Sequence, residues 1–278
     1  LVVAYLENQF YPEALEKLSA MLQDRGYHVL IFMANTVTDN LDEILDEILD
    51  YQVDGIVAAS VALSSQLLDR CQNAGVPVVL FNRSQDLQSL SSVTSDNLQG
   101  GRKVAEFLLA TAPNRIGYIA GWEGASTQRD REFGFRQRLA EDGRDIDLRA
   151  IGNFHMDSAR QATLEMFDRG DPPDAIFVAN DHMAFAVMDT LRFELGLSVP
   201  HDVSVVGYDD VPTAAWRAYD LTTVRQPVNQ MVARTVETLL RQIDNPNSTP
   251  SRVALDGPLI IRRSVRLPEG WTNETLCE

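Results

Sequence analysis

The sequence predicts an α/β protein whose two parallel sheets follow one another along the chain. Short apolar runs of strand length alternate with helical patterns through most of its 278 residues, as expected of βαβ units. The same alternation begins a second time near Ser92, after a first series that ends at Phe81. A chain of this length can bury a full core in each of two lobes.

The first series consists of apolar runs separated by helical segments with recognisable start and stop residues. Pro12 is expected to begin the first helix and Gly26 to end it. Asn40, followed three residues later by Glu43, resembles a capping box that opens the second helix. The predicted strands are 2–6, 27–33, 55–59 and 76–81, and the predicted helices are 12–25, 41–49 and 65–74.

The second series repeats this pattern and ends in two late strands, which are expected to pair with each other as a hairpin. Asp96 or Asn97 is expected to cap its first helix. Gly207 is expected to end the buried strand that begins at Val203. The predicted strands are 92–94, 115–120, 148–151, 175–179, 203–206, 221–224, 252–255 and 259–262, and the predicted helices are 98–111, 128–142, 158–169, 182–195 and 227–244.

Composition and charge limit the partners of the chain. Lys and Arg number 24 against 40 Asp and Glu, a net charge of −16, so binding of phosphate groups would face a repulsive field. The sequence has no apolar run of membrane-spanning length and no signal peptide, so we expect no membrane insertion and a cytoplasmic location. A disulfide between Cys71 and Cys277 is not expected, because one lies in a helical pattern and the other in a polar tail. The chain opens in a strand at Leu1 without a polar lead-in, and we expect it to be a piece of a longer polypeptide.

Sequence signatures of catalysis are missing. There is no nucleophile elbow, no Walker loop and no Gly-x-Gly-x-x-Gly after the first strand. The four histidines have no metal-ligand spacing. Asp209 and Asp210 are adjacent at the end of a strand, so they are expected to point to opposite sides and not to share a proton or an ion. We therefore expect no enzyme activity, no metal and no cofactor.

Residues that follow the carboxyl ends of the predicted strands form the candidate ligand site. Ligands of open α/β sheets bind at this edge, because loops and helix N-termini converge there. The candidates have aromatic or hydrogen-bonding side chains, which suit a small polyhydroxylated or heterocyclic ligand. They are Phe10, Tyr11, Ser60, Asn82 and Arg83 in the first series and Ser126, Thr127, Phe154, Asn180, Asp181 and Asp209 in the second.

Each candidate also has a purely structural interpretation. Phe10 and Tyr11 are equally consistent with an apolar core, and Asn180 or Asp181 with a helix cap. Arg83 is equally consistent with a solvated surface. The shared position of the candidates, rather than any single residue, favours a ligand site.

Charged residues near the start of the 128–142 helix and after the 203–206 strand have the same two interpretations. Asp209 is either a ligand contact or a turn or cap residue. Arg129 and Arg131, spaced two apart, either face solvent or direct a guanidinium into a cleft, where it can bind hydroxyls or a carboxylate with two N–H groups.

Several motifs, in this order, resemble the lac repressor (LacI/GalR) family over residues 1–267. Together they are specific, whereas any one alone is weak. They are Asp54-Gly55-Ile56-Val57, Gly75-Val76-Pro77-Val78-Val79, Ser126-Thr127, Arg129-Asp130-Arg131-Glu132-Phe133-Gly134-Phe135-Arg136, Ala175-Ile176-Phe177-Val178-Ala179-Asn180-Asp181, Val203-Ser204-Val205-Val206-Gly207-Tyr208-Asp209-Asp210 and Leu221-Thr222-Thr223-Val224-Arg225-Gln226-Pro227.

The resemblance implies a periplasmic-binding-protein-like (type I) fold with two Rossmann-like lobes joined by three crossovers. The implied N-terminal lobe comprises residues 1–112 and 228–244. The implied C-terminal lobe comprises residues 113–227 and 245–268, and residues 269–278 form a polar tail.

The resemblance also implies ligand contacts in a cleft between the lobes. Many family members have an aspartate in place of Asn82 and another residue in place of Arg83, so the identity of the ligand is not implied. A sugar is the leading class, and a purine or nucleoside is second. The implied contacts are Phe10, Tyr11, Asn82, Thr127, Arg131, Phe154, Asn180, Asp209 and Gln226.

Family members act as homodimers that bind operator DNA through an N-terminal helix-turn-helix, and none precedes Leu1 here. The resemblance thus implies the effector-binding and dimerisation core of a transcriptional regulator, most often a repressor. A solute-binding protein of a transport system is the alternative on the same fold. An enzyme with Asp209 as base is a third class, and no activating partner for Asp209 is evident in the sequence.

Overall fold

The computed structural model describes residues 1–34, 48–61, 63–85 and 90–271. The chain forms two compact units, and each consists of two separate stretches of sequence. The first unit comprises Leu1–Ser95 and Pro227–Leu255, and the second comprises Asp96–Gln226 and Asp256–Glu278. The chain therefore passes from one unit to the other at three joints, which we call the first, second and third joint in chain order.

The strands form one six-stranded sheet in each unit. In chain order they are β1 Val2–Val3, β2 Phe32–Met33, β3 Ile56–Ala59, β4 Val78–Phe81, β5 Ser91–Ser95, β6 Ile116–Ala120, β7 Leu148–Ile151, β8 Ala175–Val178, β9 Ser204–Asp209, β10 Thr222–Arg225, β11 Arg252–Leu255 and β12 Leu259–Ile260. The order of the first sheet is β11-β5-β4-β3-β1-β2, and that of the second is β12-β10-β9-β8-β6-β7. All described pairings are parallel except β10 with β12.

Helices connect the parallel strands. The described helices are α1 Phe10–Gln23, α2 Ser65–Asn73, α3 Asn97–Ala110, α4 Ser126–Glu141, α5 Met156–Phe167, α6 Asp181–Asp189 and α7 Val228–Asp244. A π-helical turn, Thr190–Glu194, continues α6. The predicted capping box at Asn40 and Glu43 lies outside the described residues. The cap at Asp96 is confirmed, because its Oδ1 accepts a hydrogen bond from Gln99 N at 3.0 Å.

The prediction that β9 ends at Gly207 is wrong. The strand continues through Tyr208 to Asp209 and is buried along its whole length. Gly207 instead allows a close approach, since a Cβ at this position would lie 2.2 Å from Oδ1 of Asp181. Glycine here makes room for the carboxylate of Asp181 from α6, the helix that precedes β9 in the chain, and it does not end the strand.

The predicted hairpin between the two late strands is also wrong. β11 pairs with β5 in the first sheet, with Val253 opposite Val93. β12 pairs with β10 in the second sheet, with Leu259 opposite Val224. The third joint falls between these two strands, so they belong to different units.

The first and third joints differ from the lobe boundaries that the resemblance implies, whereas the second joint lies within one residue of its implied boundary. Contacts group α3 with the second unit, whereas the boundary expected at residue 112 places this helix in the first. The reason is a very close approach of α3 to α4: a Cβ at Gly101 would lie 2.1 Å from the carbonyl oxygen of Arg131. A Cβ at Gly134 would lie 2.0 Å from the carbonyl oxygen of Leu98. These two glycines let the helix backbones touch.

Candidate functional site

The first unit brings its five predicted site residues together at the carboxyl ends of its strands. We call Phe10, Tyr11, Ser60, Asn82 and Arg83 the first-unit cluster; all five are buried. Nδ2 of Asn82 donates a hydrogen bond to the Tyr11 hydroxyl at 3.2 Å. Nη2 of Arg83 donates to Oγ of Ser60 at 3.4 Å. The structure therefore does not support a solvated Arg83.

The first-unit cluster combines aromatic faces with one buried amide oxygen that lacks a hydrogen-bond partner among the described residues. The ring of Phe10 stacks on Phe81, with centroids 6.1 Å apart and planes at 13°. Oδ1 of Asn82 is buried and has no hydrogen-bond partner within the described part of the chain. Burial lowers the pKa of the Arg83 guanidinium, while Tyr11 and Tyr5 oppose this shift. The buried Oδ1 of Asn82 is therefore suited to accept a hydrogen bond from a ligand.

Arg131 is the centre of the site residues in the second unit. Its Nε donates a hydrogen bond to Oδ1 of Asn97 at 2.8 Å, and its Nη1 donates to the carbonyl oxygen of Ala179 at 2.6 Å. Its Nη2 lies 3.5 Å from Oδ1 of Asp209. The guanidinium carbon lies 3.6 Å from the centroid of the Tyr208 ring, as in a cation–π contact. The side chain of Arg131 is only 3% exposed, so the solvated interpretation is excluded.

Asp209 joins Arg131 to Gln226. Nε2 of Gln226 donates a hydrogen bond to Oδ1 of Asp209 at 2.7 Å. The backbone N of Gln226 also donates to the carbonyl oxygen of Asp209 at 3.2 Å. Oε1 of Gln226 is buried and, like Oδ1 of Asn82, lacks a hydrogen-bond partner among the residues that the structure describes.

Asp209 and Asp210 point to opposite sides, as predicted. While Asp209 contacts Arg131, the carboxylate of Asp210 accepts from Nε of Arg225 at 2.6 Å and lies 2.7 Å from Nη2 of Arg262. Asp210 thus holds together the end of β9, the end of β10 and the segment after β12. Its role is structural, whereas Asp209 faces the candidate site.

Asp181 lies beneath Asp209 and is completely buried. Its Oδ1 accepts a hydrogen bond from Oγ1 of Thr223 at 2.6 Å, and its Oδ2 accepts from the backbone N of Val211 at 3.0 Å. Burial, together with the nearby charge of Asp209, raises the pKa of Asp181 to about 8. Asp181 therefore supports the segments around Asp209 from inside the unit.

Three further predicted residues have different surroundings. The ring of Phe154 packs so closely on Gly121 that a Cβ there would lie 2.2 Å from it. Oδ1 of Asn180 accepts from the backbone N of Met183 at 3.0 Å, so its interpretation as a helix cap is confirmed. Thr127 is buried in the first turn of α4. We call Thr127, Arg131, Phe154, Asn180, Asp209 and Gln226 the second-unit cluster.

Backbone conformation marks several of these residues. Ser60, Asn82, Phe154 and Asp209 have positive φ values of 60°, 56°, 64° and 127°. Positive φ is uncommon outside glycine, and it concentrates at functional sites where the surroundings hold it in place. Each of these residues lies at or just after the carboxyl end of a strand, where the chain turns abruptly and directs a side chain along the sheet edge.

Three residues that contact members of the two clusters are not predicted by the sequence. Asn8 is buried, and its Oδ1 accepts from the backbone N of Phe10 at 3.1 Å. Asn97 and Tyr208 both contact Arg131. The sequence pattern predicts only a capping role for Asn97, and the strand end predicted at Gly207 excludes Tyr208 from the buried strand.

The described residues contain no group of three or more His, Cys, Asp or Glu side chains that could hold a metal ion. No helix in the described part of the chain is both long and apolar enough to cross a membrane. Arg129, two residues before Arg131, is exposed, in agreement with the solvated interpretation for this residue.

Comparison with known proteins places these features in context. Residues 105–265 match the model of the periplasmic binding protein-like domain. The transcriptional regulator CelR of Thermobifida fusca is 30% identical over 92% of this chain and 76% of its own length. The repressor PurR of Photobacterium profundum is 26% identical over 96% of this chain and 80% of its own length.

Solved structures of transcriptional regulators are also similar to this chain. A complex of the regulator CelR with cellobiose is 30% identical, covers 95% of this chain and 83% of that one, and superposes with a TM-score of 0.86. A LacI family regulator from Enterococcus faecium with bound ribose is 23% identical, covers 96% of this chain and 98% of that one, and has a TM-score of 0.87. The second of these supports the fold alone.

Proposed function

Because the chain belongs to the LacI family of transcriptional regulators, we propose that it binds a sugar effector, and each of the two clusters offers groups that fit such a ligand. The supporting observation is the pair of buried amide oxygens, on Asn82 and Gln226, that lack donors within the described residues. Buried acceptors of this kind are normally satisfied. Sugar hydroxyls donate and accept hydrogen bonds, so they complement these oxygens and the Arg131–Asp209 pair.

Aromatic side chains and the relatives support the same ligand class. Phe10 and Phe154 offer flat apolar faces, on which the C–H face of a sugar ring can pack. The CelR structure, which is 30% identical to this chain, contains cellobiose. A nucleobase or nucleoside is the second candidate, because its ring would stack on the same faces and its N–H groups would reach the same oxygens.

We infer that effector binding changes affinity for operator DNA. An effector that binds one conformation of the protein more tightly than another shifts the population toward that conformation. The coupling is reciprocal, so operator binding changes effector affinity by the same factor. We assign operator contact to a helix-turn-helix head outside this chain, because the net charge of −16 opposes DNA binding by the core itself.

The remaining proposals concern assembly, chemistry and location. We propose a homodimer, in which two copies present two DNA-binding heads to one operator. We also propose that the chain performs no catalysis and acts in the cytoplasm. Since the relatives compared above are transcriptional regulators, regulation is favoured over the transport class. Sedimentation of the purified protein should give the mass of a dimer, and a monomer at all concentrations would contradict the assembly.

A thermal-shift screen tests the effector site. Ribose, cellobiose, other sugars and purines are added to the wild-type protein and to the variants Arg131→Ala and Asp209→Ala. Ligand at 100 times its Kd stabilises a protein by about 2.7 kcal/mol, which corresponds to roughly 5–10 °C for a chain of this size. Both variants should lose this shift because they lack the groups that bind the hydroxyls.

Arg129→Ala is the matched control, because Arg129 is an exposed arginine on the same helix, two residues away. It should respond to the ligand as the wild-type protein does. An unchanged ligand response in both Arg131→Ala and Asp209→Ala would remove these residues from the effector site.

A further inference from the structure

The first joint lies immediately beside an effector-site contact. Ser95 is the last residue of the first unit before the chain enters the second at Asp96. Asn97, the next residue, is 4% exposed, and its Oδ1 accepts the hydrogen bond from Nε of Arg131 at 2.8 Å. A side chain one residue past the joint is therefore fixed to the central arginine of the second-unit cluster.

The second joint has the corresponding arrangement. Gln226 is the last residue of the second unit before the chain returns to the first at Pro227. Its Nε2 donates to Oδ1 of Asp209 at 2.7 Å, and Asp209 lies 3.5 Å from Arg131. The side chains of Asn97, Arg131, Asp209 and Gln226 thus form one buried chain of contacts that begins at the first joint and ends at the second.

The third joint lacks such a connection. Asp256, the first residue after it, binds Nζ of Lys103 through Oδ2 at 2.7 Å. Both side chains of this ion pair are substantially exposed, and neither contacts Arg131 or Asp209 in the described hydrogen bonds and ion pairs. Exposed pairs are weak, so the third joint provides an internal comparison for the other two.

Asn97 also restricts how Arg131 can meet a ligand. A guanidinium has five N–H groups in a rigid planar arrangement. Asn97 holds Nε, Ala179 holds Nη1 and the ring of Tyr208 covers one face. The plane of the guanidinium is therefore set before any ligand binds, and the N–H groups that remain point along one edge.

We propose that Asn97 is a positioning residue, which orients Arg131 for the effector and couples occupancy of the Arg131–Asp209 pair to the first joint. Gln226 couples the same pair to the second joint. This inference rests on the proposed effector site, and it adds the route by which the site acts on the polypeptide segments that connect the units. An effector that pulls on Arg131 or Asp209 changes the hydrogen bonds of Asn97 and Gln226, and hence the backbone at both joints.

The first experiment measures sugar affinity in variants at the first joint, with ribose and cellobiose as probes. Asn97→Ala should weaken binding by about tenfold or more, because Arg131 loses a buried partner and its orientation. Asn97→Asp keeps an acceptor oxygen for Nε and should bind within about threefold of the wild-type protein. The matched control is Asp96→Ala, which removes the cap of the same helix but no contact to Arg131.

Asp96→Ala should lower the melting temperature and leave affinity unchanged. Equal losses of affinity in Asn97→Ala and Asp96→Ala would mean that Asn97 only supports the helix, and would overturn the positioning role. Failure of Asn97→Asp to restore binding would overturn it as well.

The second experiment needs no sugar, so it separates this inference from the proposed effector class. Backbone hydrogen exchange is measured over residues 95–98, 225–228 and 255–258 in the wild-type protein and in Asp209→Ala. Exchange should become several-fold faster at the first two segments and stay the same at the third. Faster exchange at 225–228 alone would refute the coupling through Arg131 to Asn97.

The two experiments have distinct failures. If neither sugar stabilises the wild-type protein but exchange at both joints responds to Asp209→Ala, the sugar assignment fails and the coupling stands. If sugar binds but exchange at residues 95–98 does not respond, the effector site stands and the coupling is overturned.

Discussion

Gly101 in α3 and Gly134 in α4 lie where the two helices touch, and their substitution by alanine should push α3 away from α4, the helix that contains Arg131. A Cβ at Gly101 would lie 2.1 Å from the carbonyl oxygen of Arg131, and one at Gly134 would lie 2.0 Å from that of Leu98. Cβ atoms in proteins essentially never approach another heavy atom closer than 3.0 Å, so each alanine forces a displacement of about 1 Å. The obstructing atoms belong to the backbone and cannot rotate away.

The size of the effect follows from two opposing terms. Overpacking of a close contact costs about 1–3 kcal/mol, whereas alanine is about 1 kcal/mol better than glycine in a helix interior. The difference between these terms is about 0–2 kcal/mol, and because the obstructing atoms belong to the backbone we expect Gly101→Ala and Gly134→Ala each to fall in the upper half, lowering the free energy of unfolding by about 1–2 kcal/mol. Effector affinity should fall too, because the displaced carbonyl in Gly101→Ala belongs to Arg131 itself.

Urea unfolding with a matched control measures this prediction. In Gly55→Ala the added Cβ would lie 2.9 Å from Cδ1 of Leu239, the end of a side chain that can move. We expect Gly55→Ala to change stability by less than about 0.5 kcal/mol. Variants at Gly101 and Gly134 that unfold at the wild-type urea concentration would refute the close-contact argument.

Two further predictions concern the aspartates around β9. The pKa of Asp181 in the folded protein is raised to about 8, above the unfolded value of 3.8, so the folded state binds more protons than the unfolded state between these values. The stability that Asp181 contributes is fully present below pH 3.8 and is lost as pH rises to about 8. The contribution of Asp181 to the free energy of unfolding should therefore fall as pH rises from about 4 to 8, so urea unfolding should show a different slope of stability against pH in Asp181→Asn, shifted toward higher stability at pH 8; an equal slope in the variant would contradict it. Asp210→Ala leaves Arg225 and Arg262 without their carboxylate and should lower the free energy of unfolding by about 1–3 kcal/mol. Its sugar-induced thermal shift should persist, unlike that of Asp209→Ala, and loss of the shift in both variants would contradict the division of roles between the two aspartates.

Local sequence patterns predicted most of the elements but not their pairing. The apolar run at Ile56–Ala59 and the cap at Asp96 depend on neighbours in sequence, and both are confirmed. β11 and β12 are adjacent in sequence yet pair with β5 and β10, which lie far away along the chain. No local pattern identifies such partners, and the short separation of the two strands in sequence therefore predicts a hairpin that does not form.

The sequence predicts the sheet edge at which the candidate site residues lie, but not the contacts between these residues. Strand ends placed Asn82 and Asp209 correctly at the carboxyl edges of their sheets, since this depends only on the parallel topology. The partners of Arg131 come from three elements, with Asn97 lying 34 residues away in sequence, so spacing could not reveal them. In sequence, Gly207 is typical of a strand end. The reason for glycine at this position is the nearby carboxylate of Asp181, which belongs to another element and cannot be inferred from the residues around Gly207.

The interrupted layout of the first unit has a consequence for synthesis on the ribosome. Helix α7 and strand β11 belong to this unit but are translated only after residues 96–226. Until then β5 forms an open edge of the nascent sheet, the kind of edge on which unwanted strand pairing begins. A translational pause before residue 255 would prolong this exposure, whereas residues 96–226 would by then have emerged with nearly all of their own sheet.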